Sequence, residues 1–262
     1  MPEGGTIWLA GQRLHAALAG QVLTNSDFRV PQLATTDLTG RQVREVVSRG
    51  KHLLIRIEGG LTLHTHFRMD GAWHLYRPGQ RWRGGPAWQV RVMLGTSAWQ
   101  TVGYRLPVVE LLPTHEEDQV VGHLGPDLLG ANWDLAEAMR RLSAQPDREI
   151  GPALLDQRNL AGIGNLYKTE VCFLRGVSPW TPVRDVPDLP RMVELARQLL
   201  EANKHTPEQA TTGDARKGYQ HWAFERASQP CRRCGTTISR AWQGNPPQQR
   251  VTCWCPSCQP GD

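Results

Sequence analysis

The stretch SRGKHLLIRIEGGLTLHTHFRMDGAWHLY, residues 48–76, carries three apolar runs broken by turn residues. His52–Ile57 and Leu61–Phe67 lie on either side of Glu58-Gly59-Gly60, and Trp73–Tyr76 stops just before Pro78-Gly79. Short runs bounded by Gly and Pro read as consecutive strands. Further runs continue the pattern outward, Val43–Val47 before this stretch and Trp88–Leu94 and Trp99–Tyr104 after it. So many strands without long helices between them favour an antiparallel sandwich or barrel and disfavour a doubly wound α/β sheet. Ahead of the strands, Ile7, Gly11, Leu14 and Leu18 recur at roughly helical spacing, which predicts one helix packing an apolar face on the sheet.

Near Pro113 the pattern changes. Asn132 is placed to cap a helix through Leu135, Ala138, Met139 and Leu142, with Pro146 beyond its end. Glu149–Leu155, Asn165–Phe173 and Leu189–Asn203 are further helical candidates. Residues 113–225 therefore read as mainly helical, with the polar segment His205–Gly218 as a loop. The tail after residue 225 is too short for a hydrophobic core of its own and needs a staple. The chain has no internal repeat, phosphate-binding loop or dinucleotide fingerprint.

The 262 residues allow about two compact domains, and 39% hydrophobic with 21% charged residues argues against wholesale disorder. No apolar stretch approaches the roughly 20 residues of a bilayer span, and the opening MPEGGTIWLAGQ lacks a basic leader, so neither a membrane protein nor a secreted one is expected. Lys and Arg exceed Asp and Glu by 30 to 25. The distribution says more than the total. Residues 1–112 hold 13 basic and 7 acidic residues, 113–225 hold 12 and 17, and 226–262 hold 5 and 1. Two basic ends around an acidic middle suit a polyanion bound where the ends meet, although ordinary solubilising charge gives the same totals.

Five of the six cysteines fall in the last 32 residues. Cys231-Arg-Arg-Cys234 and Cys255-Pro-Ser-Cys258, separated by 20 residues, can offer four thiolates to one tetrahedral Zn2+, with a β-hairpin between them turning near Gly244-Asn245-Pro246-Pro247. An iron centre or a redox pair are the other readings of these spacings. Four thiolates leave no open coordination position, so the metal is structural. Cys253, two residues before Cys255, is a rival ligand because both face one side of a strand. Arg232, Arg233, Arg240 and Arg250 make the module basic and suited to a phosphate backbone.

At the other end, Pro2 becomes a secondary amine if Met1 is removed, and such an amine can attack an aldehyde carbon to form an iminium ion. Glu3 beside it can move protons between nucleophile, sugar and leaving base. The plainer readings are a proline ending a terminal tail and an acid stabilising a helix start. Lys51 opens the run HLLIRI, where it can meet a phosphate or remain solvated.

These features together resemble the formamidopyrimidine-DNA glycosylase and endonuclease VIII family of DNA repair enzymes. The opening MPEG, SRGKHLLIRI (48–57), HTHFRMDG (64–71), LLDQRNLAGIGNLYKTEVCFLRGVSP (154–179), PCRRCGTTI (230–238) and QRVTCWCPSCQ (249–259) occur in the family's order and reach from Met1 to Gln259. The resemblance implies a multidomain α+β protein. Its parts would be an N-terminal antiparallel β-sandwich with a flanking helix (1–115), a helix–two-turn–helix domain (116–225) and a four-cysteine zinc β-hairpin (226–262). It further implies Pro2 as nucleophile, Glu3 as proton-transfer group and Lys51 as a phosphate-contacting aid to catalysis. Asn165 and Arg250 would grip the backbone at the lesion, and Met69 would fill the space left by the flipped nucleotide, with an ordinary core Met as the alternative. Gly162 and Gly164 would let backbone N–H groups approach phosphate. Cys231, Cys234, Cys255 and Cys258 would hold one structural Zn2+.

The purine-repair branch usually carries an Arg-Arg-Phe-Gly motif before the domain linker. The corresponding stretch here is WQTVGYRLPVVELL (99–112), which resembles the endonuclease VIII side, especially its actinobacterial second-paralogue forms. Gly5, the lead-in HWAFERASQPC (221–231) and Cys253 also depart from the family's usual residues. The expected activity is a bifunctional glycosylase and abasic-site lyase on oxidised pyrimidines. The expected enzyme is a bacterial cytoplasmic monomer that joins the nucleoid during repair, with damaged DNA as partner. A DNA-damage or abasic-site binding protein with weak catalysis on the same scaffold is the second reading, and a zinc-ribbon interaction protein the third.

Overall fold

In the computed structural model, which describes Pro2–Gly261, the first strands pair with their sequence neighbours because the turns between them are short. β2 (Val43–Arg49), β3 (His52–Ile57) and β4 (Leu61–His66) form a meander, and β8 (Val108–Pro113) joins at the β4 edge, giving the order β2-β3-β4-β8. A second four-stranded sheet has the order β1-β6-β7-β5, built from β1 (Asn25–Phe28), β5 (Ala72–Tyr76), β6 (Val90–Gly95) and β7 (Gln100–Tyr104). Every pairing in both sheets is antiparallel. Alternate residues face inward, so Val43, Val46, Leu53, Ile55 and Leu63 from one sheet share a buried core with Trp73, Val92 and Leu94 from the other. Helix α1 (Gly4–Leu18) adds Ile7, Leu14 and Leu18 to that core, as their spacing predicts. The result is a β-sandwich with a flanking helix.

The chain groups into two compact units, one of Pro2 and Thr6–His123, the other of Glu3–Gly5 and the chain from Leu124 onward. Beyond the single turn α2 (Asp118–Val121), the second unit holds α3 (Leu135–Ser143), α4 (Ile150–Leu155), α5 (Asn165–Arg175) and α6 (Leu189–Asn203), then the hairpin β9 (Ser239–Gln243) and β10 (Arg250–Trp254). Leu142, Leu154, Leu166, Val171, Met192 and Leu200 are among the buried side chains of its helical core. Residues 205–218 form neither helix nor strand. No helix among the described residues is long and apolar enough to cross a membrane.

One detail of the sequence reading is corrected. The cap of α3 is Asp134, whose carboxylate accepts the Glu137 N–H at 3.0 Å, whereas Asn132 lies two residues too early. A cap oxygen reaches the N–H two or three residues ahead, and with α3 starting at Leu135 that geometry selects residue 134. Asp134→Ala is expected to cost about 1 kcal/mol and lower Tm by roughly 2–4 °C, while Asn132→Ala leaves thermal unfolding unchanged. An equal loss for both variants contradicts the assignment.

Candidate active site

The N-terminal residues are held by backbone contact. Gly4 N–H donates to the Gly162 carbonyl at 2.7 Å. A Cβ on Gly4 would stand 2.9 Å from both the Cα and the carbonyl oxygen of Gly162, closer than backbone atoms allow. Gly162 itself has φ +102°, a conformation open to glycine. This contact seats Glu3 at the start of α5. Its carboxylate is fully buried and Oε1 accepts the Leu166 N–H at 3.1 Å. Leu166 is in the first turn of α5, so the acid meets an unpaired helix donor and the positive end of the helix dipole. Pro2, immediately before it, is half-buried. Removal of Met1 concerns a residue outside those described.

Helix α5 turns its polar side chains inward. Asn165 is 8% exposed and donates Nδ2–H to the Val251 carbonyl on β10 at 2.8 Å, so Asn165 and the strand that begins with Arg250 lie together. Arg250 is exposed, and its Nη1 donates to the carbonyls of Gln248 and Gln249 at 3.0 and 2.8 Å. Lys168 is completely buried and donates Nζ–H to Thr252 Oγ1 at 2.6 Å. Glu170, also completely buried, accepts the backbone N–H groups of Trp222, Ala223 and Phe224, each at 2.8 Å, and the Thr211 hydroxyl. These bonds pin the loop that follows α6. Lys168 and Glu170 were missed by the sequence reading; their signal was two charged residues inside an otherwise apolar helix.

In the first unit, Lys51 is half-buried in the turn between β2 and β3, one residue ahead of β3. Burial, then His64 and the charges of Lys51 and Arg68, pull the His66 imidazole down to about 4. Around it the strand register opposes His52 to His66, and His52 Nδ1 lies 2.9 Å from His64 Nε2, which in turn holds Glu110 at 3.0 Å through Nδ1. Burial and the neighbouring imidazoles bring His52 down to about 3, so His52 and His66 are neutral at physiological pH. Met69 is not a core side chain. It is 61% exposed on the β4–β5 loop, beside a cavity of about 430 Å³ lined also by Arg68, Arg91, Arg105 and Leu106.

Sγ atoms of Cys231, Cys234, Cys255 and Cys258 all lie within 4.8 Å of one another, with 231–258 at 3.9 Å and 234–255 at 3.5 Å. Four sulfurs at about 2.3 Å from a tetrahedral Zn2+ are separated by about 3.8 Å, so the donor set fits that ion. Cys253 stands outside the cluster. It packs with Phe173, Ala223 and Ile238. Cys172 is buried in the helical core.

The model of the formamidopyrimidine-DNA glycosylase N-terminal domain matches residues 1–105, and that of the H2TH domain of the same glycosylase matches residues 124–206. The probable endonuclease 8 2 of Streptomyces coelicolor is 58% identical, over 100% of this chain and 95% of the relative. The DNA-(apurinic or apyrimidinic site) lyase Nei2 of Mycolicibacterium smegmatis is 44% identical, over 99% of each chain. Among solved structures, the Lactococcus lactis formamidopyrimidine-DNA glycosylase bound to DNA containing an abasic site aligns with TM-score 0.78 at 21% identity, over 99% of this chain and 100% of that one, a likeness of fold. The identity and coverage of these relatives, together with the two matched domains, establish that the chain belongs to the formamidopyrimidine-DNA glycosylase and endonuclease VIII family of DNA glycosylase and abasic-site lyase enzymes.

Proposed function

We propose that this enzyme excises oxidised pyrimidines from DNA through an iminium intermediate on Pro2 and cleaves the strand by successive β and δ elimination. The observation that carries the reading is Glu3, a fully buried carboxylate fixed on the first turn of α5 and adjacent in the chain to Pro2. Full-length similarity to an endonuclease 8 2 and to a DNA-(apurinic or apyrimidinic site) lyase supports it.

The deprotonated Pro2 nitrogen donates its lone pair to C1′. The C1′–base bond breaks, its electrons leave with the base, and a proton completes the departing group. Opening of the sugar ring gives the iminium ion, an electron sink that acidifies C2′. Loss of a C2′ proton expels the 3′ phosphate, a second elimination expels the 5′ phosphate, and water releases Pro2. Glu3 is the group placed to carry protons in these steps. Lys51, Asn165 and Arg250 bind backbone phosphates, and Met69 fills the space vacated by the flipped nucleotide. Cys231, Cys234, Cys255 and Cys258 hold one Zn2+, which closes the hairpin and leaves chemistry to other groups. The enzyme acts as a monomer in the bacterial cytoplasm.

Borohydride is expected to trap a covalent adduct between the enzyme and abasic DNA. Pro2→Gly keeps an amine and part of the signal, whereas a blocked amine or a retained Met1 removes it. Undiminished trapping with a blocked terminus sinks the Pro2 role. Glu3→Gln is expected to slow single-turnover cleavage by about 10²–10⁴-fold. In a trapping panel, thymine glycol, dihydrouracil and 5-hydroxycytosine duplexes give stronger adducts than 8-oxoguanine opposite cytosine; the reverse order overturns the lesion class. Metal analysis is expected to find one Zn2+ per chain, lost in Cys255→Ser and kept in Cys253→Ser, and the opposite pattern refutes the ligand set.

A further inference from the structure

Residues 77–91, RPGQRWRGGPAWQVR, run from the end of β5 into β6 and hold four arginines, two tryptophans and no acidic residue. Trp82 is half-buried and donates its indole N–H to Gln100 Oε1 at 3.1 Å, so it serves the fold. Trp88 is 72% exposed, the most of any large apolar side chain among the described residues, and its indole has no ring or hydrogen-bond partner there.

The backbone that carries this indole is fixed. Ala87–Gln89 is one 3-10 turn, closed by the Gln89 N–H on the Pro86 carbonyl at 3.0 Å. Two arginine side chains hold its carbonyls: Arg29 Nη1 donates to Ala87 at 3.3 Å and Arg91 Nη1 to Trp88 at 2.9 Å. The Arg105 N–H donates to the Gln89 carbonyl at 2.8 Å. Upstream, the N–H groups of Arg83 and Gly84 donate to the Tyr76 hydroxyl at 3.1 and 2.9 Å, and a Cβ on Gly84 would overlap the Tyr104 ring at 2.5 Å.

A lone exposed apolar residue is ordinary. One held on a strapped turn among arginines matches a more definite chemistry. Arg81 and Arg83 are exposed on the same loop, and Arg29 is exposed beside the turn. Arg91 also lines the cavity beside Met69, so the surface runs on from Trp88 to Met69. The nearby carboxylates are Asp27, paired with Arg29 at 2.8 Å, and Asp70 on the cavity wall. Positive charge selects a polyanion, and a flat indole selects a flat aromatic face. In an intact duplex the neighbouring bases cover each base face, so a surface tryptophan stacks only on a base that is unpaired and unstacked.

We infer that Trp88 is a stacking platform for an unpaired base of single-stranded DNA, with Arg81 and Arg83 on the same loop meeting the adjoining phosphates. Flipping a nucleotide leaves an unpaired base at the lesion. That connection rests on the role proposed for Met69, whereas single-strand binding by Trp88 does not.

The test is binding of the full-length protein, by fluorescence anisotropy, to undamaged oligo-dT of about 16 nucleotides and to a mixed-sequence duplex of the same length. Undamaged probes keep the result independent of Pro2, Glu3 and the lesion class. Trp88→Ala is expected to weaken the single-strand complex by about 5- to 100-fold and the duplex complex by less than about twofold, with Trp88→Phe recovering most of the affinity. Arg81→Gln and Arg83→Gln each lower the log–log salt slope of single-strand binding by about 0.7. No binding of oligo-dT by the wild type, an unchanged single-strand affinity in Trp88→Ala, or an equal loss on both probes overturns the inference. Met69→Ala on a duplex with an abasic site tests the other reading: if it binds as the wild type does, the Met69 role fails while the Trp88 result stands.

Discussion

The contact between Gly4 and Gly162 is the constraint on which the candidate site depends. One glycine has no room for a side chain, and the other has a backbone angle that side chains resist. Their hydrogen bond at 2.7 Å fixes the residue before Gly4 as firmly as the residue after it, so Glu3 arrives at α5 without a loop of its own. A carboxylate fully out of water would ordinarily take up a proton. The helix N-terminus supplies a donor and a favourable dipole at the point where the carboxylate lands.

Helix α5 is built to receive it. Every side chain from Asn165 to Phe173 is buried, and its three most polar residues each bind a different segment. Asn165 takes the backbone of β10, Lys168 the hydroxyl next along that strand, and Glu170 the backbone after residue 221. Buried polar groups stabilise a fold when they are bonded and weaken it when they are not. The helix therefore works as a core element whose specificity lies in its polar side chains. The cysteine hairpin is held by these bonds on one side and by its sulfur cluster on the other.

Much of this was legible in the sequence. His52–Ile57 and Leu189–Asn203 coincide with the observed elements, because a short apolar run between Gly-rich turns and a long amphipathic run are clear patterns. The missed strands were Asn25–Phe28, whose residues NSDF show no alternation of apolar and polar, and Val108–Pro113, which lies in the Leu- and Val-rich stretch leading into the linker. Both are strands because a neighbour pairs with them, β6 in one case and β4 in the other, and a pairing across dozens of residues has no local signature. The paired C-x2-C spacing pointed to the four cysteines whose sulfurs cluster. Lys168 and Glu170 escaped because helical charges normally face water, and only the packing around α5 reverses that expectation.

The stretch that departs from the purine-repair motif acquires a physical reading in the same way. Arg105, in the middle of WQTVGYRLPVVELL, has a positive φ of 49° and folds its guanidinium back into the first unit. Nε donates to the Asp70 carbonyl at 3.1 Å, and Nη1 donates to Gln89 Oε1 at 2.5 Å and to the Gly84 carbonyl at 3.3 Å. Of these three bonds, all within its own unit, the one to Asp70 ties Arg105 to the β4–β5 loop. That loop has its own positive-φ residue, Arg68, next to the exposed Met69. An exposed apolar side chain on a strapped loop has little backbone entropy left to lose on contact with a partner, because its backbone is ordered beforehand. The guanidinium of this stretch is thus spent on bonds within its own unit, and Met69 is left exposed on the loop that Arg105 holds through Asp70.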